Sequence, residues 1–130
     1  MKSKRRNGFT LVELLTVIAI IALLAGLILG LAGNAQKTAA KKRAESEITQ
    51  LESSVTDYRT EFGQVPPTRD ALVTYLETGN HELAGMTDPW GLDYNYQPSS
   101  KATFYLWSTG GDTSEPATNR AVWIGNFPPP

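Results

Sequence analysis

The chain has 130 residues, 41% of them hydrophobic, and a formal net charge of −1. This length allows one small folded domain beside any membrane segment. The sequence contains no cysteine, which excludes disulfide bonds and thiolate metal sites.

A long apolar stretch dominates the N-terminal part of the chain. It follows a short basic leader and covers residues 9–33, in which Glu13 is the single charged side chain. A helix rises about 1.5 Å per residue, so this stretch is long enough to cross a hydrocarbon core of about 30 Å. The pattern therefore predicts a membrane-spanning helix.

Glu13 needs an explanation, because a carboxylate at the centre of a membrane helix costs about 2.5 to 3.5 kcal/mol. Physical chemistry leaves two interpretations open. Either the carboxylate lies among the lipid head groups or is protonated, or it is retained inside the membrane for a partner of opposite charge.

The charge distribution also bears on possible partners. Residues 1–8 hold four of the twelve basic side chains, so the rest of the chain has eight basic and thirteen acidic residues. An acidic chain of this kind argues against a nucleic-acid surface. A second basic cluster, formed by Lys37, Lys41, Lys42 and Arg43, follows the span, and we expect it to contact lipid head groups. Since both ends of the span are basic, charge alone leaves its orientation open.

An ordinary secretory signal peptide is the competing interpretation of the N-terminus. The small residues Gly33 and Ala35 resemble its cleavage site, and cleavage there would release a soluble protein. However, the apolar stretch exceeds the usual 7 to 15 residues of such a signal, and a carboxylate near its start is atypical. We therefore favour the membrane span.

Helical periodicity continues beyond the span. Gly63 and the prolines after it predict the end of one long helix over residues 9–62, and Thr68 is expected to cap a second, short helix that ends at Gly79. The apolar stripe of the long helix comprises Ile48, Leu51, Val55, Tyr58 and Phe62.

The remainder of the chain has the pattern of a small sheet. Residues 80–87 are predicted to be a loop containing His81, the only histidine, to which we assign no role. Residues 88–91, Asp-Pro-Trp-Gly, predict a tight turn, and strands are expected at residues 92–97, 102–108 and 120–124. The predicted fold class is therefore α+β, with a small antiparallel sheet covering the apolar stripe of the long helix.

Residues 8–14, Gly-Phe-Thr-Leu-Val-Glu-Leu, resemble the class III signal of type IV pilins and type II secretion pseudopilins. The resemblance implies that a prepilin peptidase cleaves between Gly8 and Phe9 and that Phe9 becomes N-methylated. It also implies that Glu13 meets the N-terminal ammonium of a neighbouring subunit as a filament assembles. The implied fold is pilin-like, and the implied location is the bacterial inner membrane, with a cytoplasmic N-terminus and a periplasmic globular domain.

Motifs in the second half of the chain refine this resemblance. Residues 88–91, Tyr94, Tyr96, 106–108 and 110–112 are similar to the order found in the major pseudopilin family of type II secretion. The implied function is a structural subunit for protein export across the outer membrane, which self-associates into a helical filament with minor pseudopilins and an inner-membrane assembly platform. A type IV pilus subunit for adhesion, motility or DNA uptake is the alternative.

The predicted organisation follows from these features. It consists of a cleaved leader (residues 1–8), a transmembrane assembly helix (residues 9–33) and a periplasmic domain (residues 34–130). An enzyme is not expected, because one histidine, no cysteine and scattered carboxylates form no convergent catalytic set.

The resemblance also implies a calcium site, since the major pseudopilin family binds calcium in the loop after Trp107. Asp112 matches a family ligand, and Leu106, Ser108 and Asn119 lie where further oxygens would join it. Calcium takes six to eight oxygen ligands, but the family's later aspartate pair has no counterpart here. The alternative is that residues 110–119 form an ordinary turn in which Asp112 bonds its own backbone.

Overall fold

A computed structural model describes residues 8–79 and 85–130. The predicted leader lies almost wholly outside this part of the chain, as do His81 and most of the predicted loop over residues 80–87. The described elements confirm the α+β class. They are helices α1 (Leu11–Phe62) and α2 (Arg69–Thr78), strands β1 (Asn95–Pro98), β2 (Phe104–Ser108) and β3 (Ile124–Asn126), and a 3-10 turn (Arg120–Val122).

Helix α1 begins two residues later than expected and ends at the predicted position. Its apolar stretch is long enough to cross a membrane, and none of it is buried within the described chain. The helix ends where Gly63 adopts a φ of 76° and donates its N–H to the Arg59 carbonyl at 2.8 Å. A positive φ of this kind favours glycine, which explains why the helix stops here.

A compact unit, Thr38–Pro130, contains the folded core. Helix α1 buries Ile48, Leu51 and Val55 as its periodicity predicted, and Tyr58 is half-buried. The expectation for Phe62 was wrong, because this last residue of α1 is 55% exposed. The other buried apolar residues of this core are Ala44, Val65, Leu72, Leu76, Met86, Tyr94, Tyr96, Leu106 and Ile124.

Helix α2 has the predicted cap. The Thr68 hydroxyl accepts the Ala71 N–H at 3.2 Å, which satisfies one of the free N–H groups of the first turn. Leu72 and Leu76 are both buried and lie four residues apart, so one apolar face of the helix packs against the core.

The sheet has the order β1-β2-β3 and is antiparallel throughout, with Tyr96 opposite Leu106 and Leu106 opposite Asn126. β1 starts at Asn95, three residues later than predicted, because the preceding residues pair with residues 86–88. The predicted alternation is nevertheless present, since Tyr94 and Tyr96 are buried and Gln97 is exposed. β2 starts at Phe104 because the Ser100 hydroxyl accepts the N–H groups of residues 102 and 103 and holds them in a turn.

The prediction for the last strand was wrong. Residues 120–122 form a 3-10 turn, in which the Val122 N–H donates to the Asn119 carbonyl at 3.2 Å, and β3 begins only at Ile124. Within β3, Gly125 has a φ of 110°, and a Cβ there would lie 2.4 Å from the Leu106 carbonyl oxygen. This close approach of two backbones requires glycine and sets where the strand pairs with β2.

A buried carboxylate that the sequence pattern did not reveal joins α1 to the sheet. Glu47 is 8% exposed, accepts the Tyr94 hydroxyl at 2.6 Å and pairs with the Arg43 Nε at 2.6 Å. Burial, followed by the hydrogen bond to Glu47, raises the pKa of Tyr94 well above its usual value. The Tyr94 hydroxyl therefore remains a proton donor, which is what a buried carboxylate needs.

Candidate functional site

The predicted assembly residue, Glu13, lies in the first turn of α1. Its N–H donates to the Thr10 hydroxyl at 3.2 Å, while its Oε2 accepts both the Thr10 N–H at 2.9 Å and the Thr10 hydroxyl at 3.0 Å. This reciprocal arrangement is a capping box, which satisfies two N–H groups at the start of a helix. The Thr-x-x-Glu spacing is the local signal from which this cap could have been predicted.

The capping contacts leave part of the Glu13 carboxylate available. Among the described residues, all of the hydrogen bonds to this carboxylate fall on Oε2. The side chain is exposed, and so are its apolar neighbours, with Phe9 84% and Leu11 80% exposed. The beginning of α1 thus offers a carboxylate oxygen beside a large unburied apolar surface.

The peptide bond between Gly8 and Phe9 lies outside the helix. Residues 8–10 have no regular secondary structure, and all three are exposed. A peptidase requires an accessible, unfolded segment of backbone, so the structure of residues 8–10 is compatible with cleavage there.

The predicted turn at residues 88–91 is present, and Asp88 also forms hydrogen bonds to residues outside this turn. The Gly91 N–H donates to the Asp88 carbonyl at 3.0 Å, and Asp88 Oδ1 accepts the N–H groups of Trp90 and Leu92. Asp88 Oδ2 accepts the Ser108 hydroxyl at 2.6 Å, and both residues are buried. Asp88 therefore joins the turn to the end of β2.

This contact engages Ser108, one of the predicted calcium ligands, in a hydrogen bond within the fold. The Ser108 Oγ donates to Asp88 and accepts the Gly110 N–H at 2.9 Å, so its proton and one of its two lone pairs are used within the fold. Leu106 belongs to β2, where it is opposite Tyr96 on one side and Asn126 on the other. Both residues serve the sheet and the turn that packs against it.

Asp112, the central predicted ligand, is hydrogen-bonded to its own loop. Its Oδ1 accepts the Ser114 hydroxyl at 2.5 Å and the Ser114 N–H at 3.0 Å, and its Oδ2 accepts the Asn119 N–H at 2.8 Å. These bonds, with that of the Ser114 hydroxyl the strongest, lower the pKa of Asp112. Asn119 thus contributes its N–H group to Asp112.

In this arrangement, hydrogen bonds and strand pairing within the fold engage the four predicted ligands. Both oxygens of Asp112 receive donors, Ser108 is engaged by Asp88, and no group of three or more acidic or histidine side chains occurs within residues 8–79 and 85–130. Calcium requires six or more converging oxygens. The hydrogen bonds are those of the alternative in which Asp112 closes an ordinary loop, and calcium binding stays a prediction.

Comparisons with known proteins agree in placing this chain in one family. Residues 32–127 match the family described as type II secretion system (T2SS), protein G, and residues 3–29 match the prokaryotic N-terminal methylation motif. The chain belongs to the type II secretion system protein G family.

Individual relatives extend over nearly the whole chain. The type II secretion system core protein G of Vibrio cholerae serotype O1 is 34% identical over 97% of this chain and 94% of its own length. The protein of the same name from Pseudomonas aeruginosa is 27% identical over 98% of this chain and 99% of its own length. That of Escherichia coli (strain K12) is 34% identical, with 83% of each chain covered.

Membership of the protein G family confirms the predicted subtype. The chain is a pseudopilin, a structural subunit of the type II secretion pseudopilus, and its apolar N-terminal helix marks it as membrane-anchored. The motifs of the second half of the chain, and not the N-terminal signal that all type IV pilin-like proteins share, pointed to this subtype.

Replacing Asp112 by alanine tests the two interpretations of the loop. We expect thermal unfolding of a fragment covering residues 34–130 to occur at lower temperature in the variant, with EDTA present, because three hydrogen bonds to the carboxylate are lost. The decrease is expected to be small, since solvent replaces lost hydrogen bonds at an exposed carboxylate.

The same thermal unfolding measurement with millimolar Ca²⁺ tests whether the loop that contains Asp112 binds calcium. If the hydrogen bonds alone close the loop, Ca²⁺ leaves the melting temperature of the unsubstituted fragment unchanged. A rise on adding Ca²⁺ that disappears in Asp112→Ala would establish the calcium site, because an ion that binds only the folded state stabilises it.

Proposed function

We propose that this pseudopilin is made as a precursor, cleaved between Gly8 and Phe9 by prepilin peptidase and methylated on the new N-terminal Phe9. The match to the methylation motif over residues 3–29 supports this proposal. The exposed, irregular backbone of residues 8–10 supports it as well, since the helix begins only at Leu11.

Assembly then depends on Glu13, and the single observation that carries this proposal is the placement of its carboxylate. A carboxylate lies in the first turn of α1, whose N-terminal part up to Leu31 is otherwise uncharged, and its Oε2 is bonded to Thr10. Cleavage creates a positively charged amine at Phe9. Opposite charges a few ångströms apart attract each other strongly in a medium of low dielectric constant, so the ammonium of a neighbouring subunit offsets the cost of placing Glu13 in the membrane.

The apolar helices of many copies form the core of the filament. Side chains from Phe9 to Leu31 remain unburied within one chain, and the segment is uninterrupted by charge after Glu13. Burial of apolar area stabilises association by about 25 cal/mol per Å². The helix therefore first anchors the subunit in lipid and then packs against its neighbours in the pseudopilus.

The proposed topology is a single pass through the inner membrane, with the N-terminus in the cytoplasm and the domain of residues 34–130 in the periplasm. Prepilin peptidase, minor pseudopilins and the inner-membrane assembly platform are the proposed partners. The basic residues after the span, Lys37, Lys41 and Lys42, are exposed and suited to lipid head groups before extraction into the filament. The proposed role is structural, without catalysis.

Mass spectrometry of the membrane-extracted protein tests the maturation step. We expect a mature chain that begins at Phe9 and carries one additional methyl group. The unsubstituted precursor from cells that lack the peptidase is the control, and it is expected to begin at Met1. A chain beginning at Gln36 would instead establish an ordinary secretory signal and refute the proposed maturation.

A further inference from the structure

A cleft between the end of α1 and helix α2 has no role in the site described above. It has a volume of about 320 Å³ and opens to solvent. Its lining combines three aromatic rings with small side chains, namely Tyr58, Phe62, Ala71, Thr74, Tyr75 and Thr78. We call it the aromatic cleft.

The three rings of the aromatic cleft contact one another and remain partly exposed. The ring centroids of Tyr58 and Phe62 are 4.4 Å apart, and Tyr75 meets both edge-on at 5.1 and 6.2 Å. Phe62 is 55% exposed, the highest exposed fraction among the large apolar side chains that the structure describes in residues 38–130. Three aromatic rings that line one opening form the type of site that attracts a cation.

Two carboxylates stand beside these rings. Asp57 and Glu61 are four residues apart on α1, next to Tyr58 and Phe62, and the pKa of Tyr75 is raised, first by desolvation and then by the negative charges of Glu61 and Asp57. Both acidic side chains are exposed and lie in the last two turns of α1, where the negative end of the helix dipole disfavours them. Their position therefore costs free energy in the isolated chain, which a positively charged partner offsets.

The same helix carries the complementary charge. Residues 37–43 hold four basic and no acidic side chains, whereas residues 45–61 hold five acidic and one basic. Lys41 and Lys42 are exposed, and among the described residues Lys42 forms a surface ion pair with Glu45, at 2.9 Å. Such a pair contributes about 1 kcal/mol or less and leaves the ammonium free to exchange partners.

We propose that the aromatic cleft, with Asp57 and Glu61 at its rim, receives the Lys41-Lys42 segment of a second copy of this chain. The inference rests on the proposed filament. Insertion of the apolar helix in one direction makes all copies parallel, so copies at the same height place like charges side by side. An axial shift brings the basic segment of one copy to the acidic, aromatic end of another.

The sequence separation predicts the size of this shift. Lys42 precedes Tyr58 by 16 positions, and Lys41 precedes Phe62 by 21. At about 1.5 Å per residue these separations correspond to an axial offset of about 25 to 30 Å. A contact between two different surfaces does not close on itself by a two-fold axis, and it propagates as an open helical filament.

Cysteine cross-linking tests the contact directly, since the chain has no cysteine of its own. The full-length variant Lys42→Cys/Thr74→Cys is assembled into filaments, which are sheared from the cells and treated with a short thiol cross-linker. Cross-linked dimers and longer ladders are expected from this variant. Neither single variant is expected to form them, nor is the matched control Lys42→Cys/Thr113→Cys, whose second cysteine lies on an exposed loop remote in sequence from the cleft.

A charge exchange provides a second measurement. Asp57→Lys/Glu61→Lys is expected to lower filament yield by about tenfold or more, because it places like charges in contact. Adding Lys41→Glu/Lys42→Glu is expected to restore the yield to within about threefold, because attraction returns with its sign exchanged. A merely structural effect of the first two substitutions would not be repaired by the second two.

The outcomes separate this inference from the proposed function. If the double-cysteine variant forms filaments without cross-linking, the inference is overturned and the pseudopilus function stands. If the double-cysteine variant fails to assemble, the filament yield of the charge-exchange variants is used instead. The inference is overturned if Lys41→Glu/Lys42→Glu does not restore the yield that Asp57→Lys/Glu61→Lys lowers. If the unsubstituted chain forms no filament, the proposed filament function and this inference are both refuted.

Discussion

Glu13→Leu is expected to leave the chain in the membrane and to abolish filament assembly and secretion. Leucine is more favourable than a carboxylate by about 3 kcal/mol at the centre of a membrane helix, and by less near its start, where Glu13 lies, so insertion should not suffer. Assembly should fail, because the ammonium of the neighbouring Phe9 would lose its partner. Removing one member of a buried charge pair costs about 3 to 5 kcal/mol, which corresponds to a loss of more than about a hundredfold in association.

The capping box makes a sharper comparison possible. Glu13→Gln retains the acceptor for the Thr10 N–H but removes the charge, whereas Thr10→Val retains the charge and removes the hydroxyl of the cap. If the charge serves assembly, the glutamine variant fails like the leucine variant, and the valine variant keeps substantial filament formation.

Filament yield in sheared fractions, secretion of an exported protein and membrane retention are the three readouts. Normal filaments in Glu13→Gln with loss in Thr10→Val would show that Glu13 acts as a helix cap. Wild-type assembly in Glu13→Leu would remove Glu13 from the mechanism altogether.

Asp88→Ala is expected to be the most destabilising single substitution among the polar residues of the domain. Asp88 is 4% exposed, and its carboxylate accepts the N–H groups of Trp90 and Leu92 and the hydroxyl of Ser108. Alanine leaves the buried Ser108 hydroxyl and two part-buried N–H groups without this acceptor, and an unsatisfied buried donor costs about 1 to 3 kcal/mol. We expect a loss of about 3 to 5 kcal/mol, which lowers the melting temperature by more than about 10 °C.

Asp93→Ala is the matched control for this measurement. Asp93 is the same residue type five positions later, but its side chain is 68% exposed and forms an ion pair with Arg69 at 3.1 Å. Exposed ion pairs contribute about 1 kcal/mol or less, so this variant should unfold within a few degrees of the unsubstituted fragment. Equal melting temperatures for the two variants would contradict the structural role assigned to Asp88.

The features that these experiments test could be predicted from the sequence to different degrees. Local signals were sufficient for the long helix and its end, because Gly63 adopts a positive φ that few other residues tolerate. They were also sufficient for the Thr68 cap and the turn at residues 88–91, whose hydrogen bonds join residues within four positions of each other. The motif of residues 8–14 was sufficient to indicate the superfamily, because its glycine, carboxylate and apolar residues are neighbours in the chain.

The sequence by itself therefore determined the α+β class, the apolar helix with its single carboxylate, and the family. All of these depend on periodicity, composition or short-range geometry, which are determined by residues close to one another in the sequence. Where prediction erred, a tertiary contact prevailed. Residues 120–122 have strand-compatible side chains, yet β3 begins at Ile124, because Gly125 is the position at which the backbone approaches Leu106 closely.

Only the tertiary structure decided which polar groups meet. Glu47 and Tyr94 are 47 positions apart, and Asp88 and Ser108 are 20 apart, yet each pair shares a buried hydrogen bond of 2.6 Å. Helical spacing places Glu47 next to the apolar stripe, but it does not identify Tyr94 as the partner. Its burial and its partner are set by how the sheet packs on the helix, since a buried carboxylate is stable only where the whole fold supplies its donors.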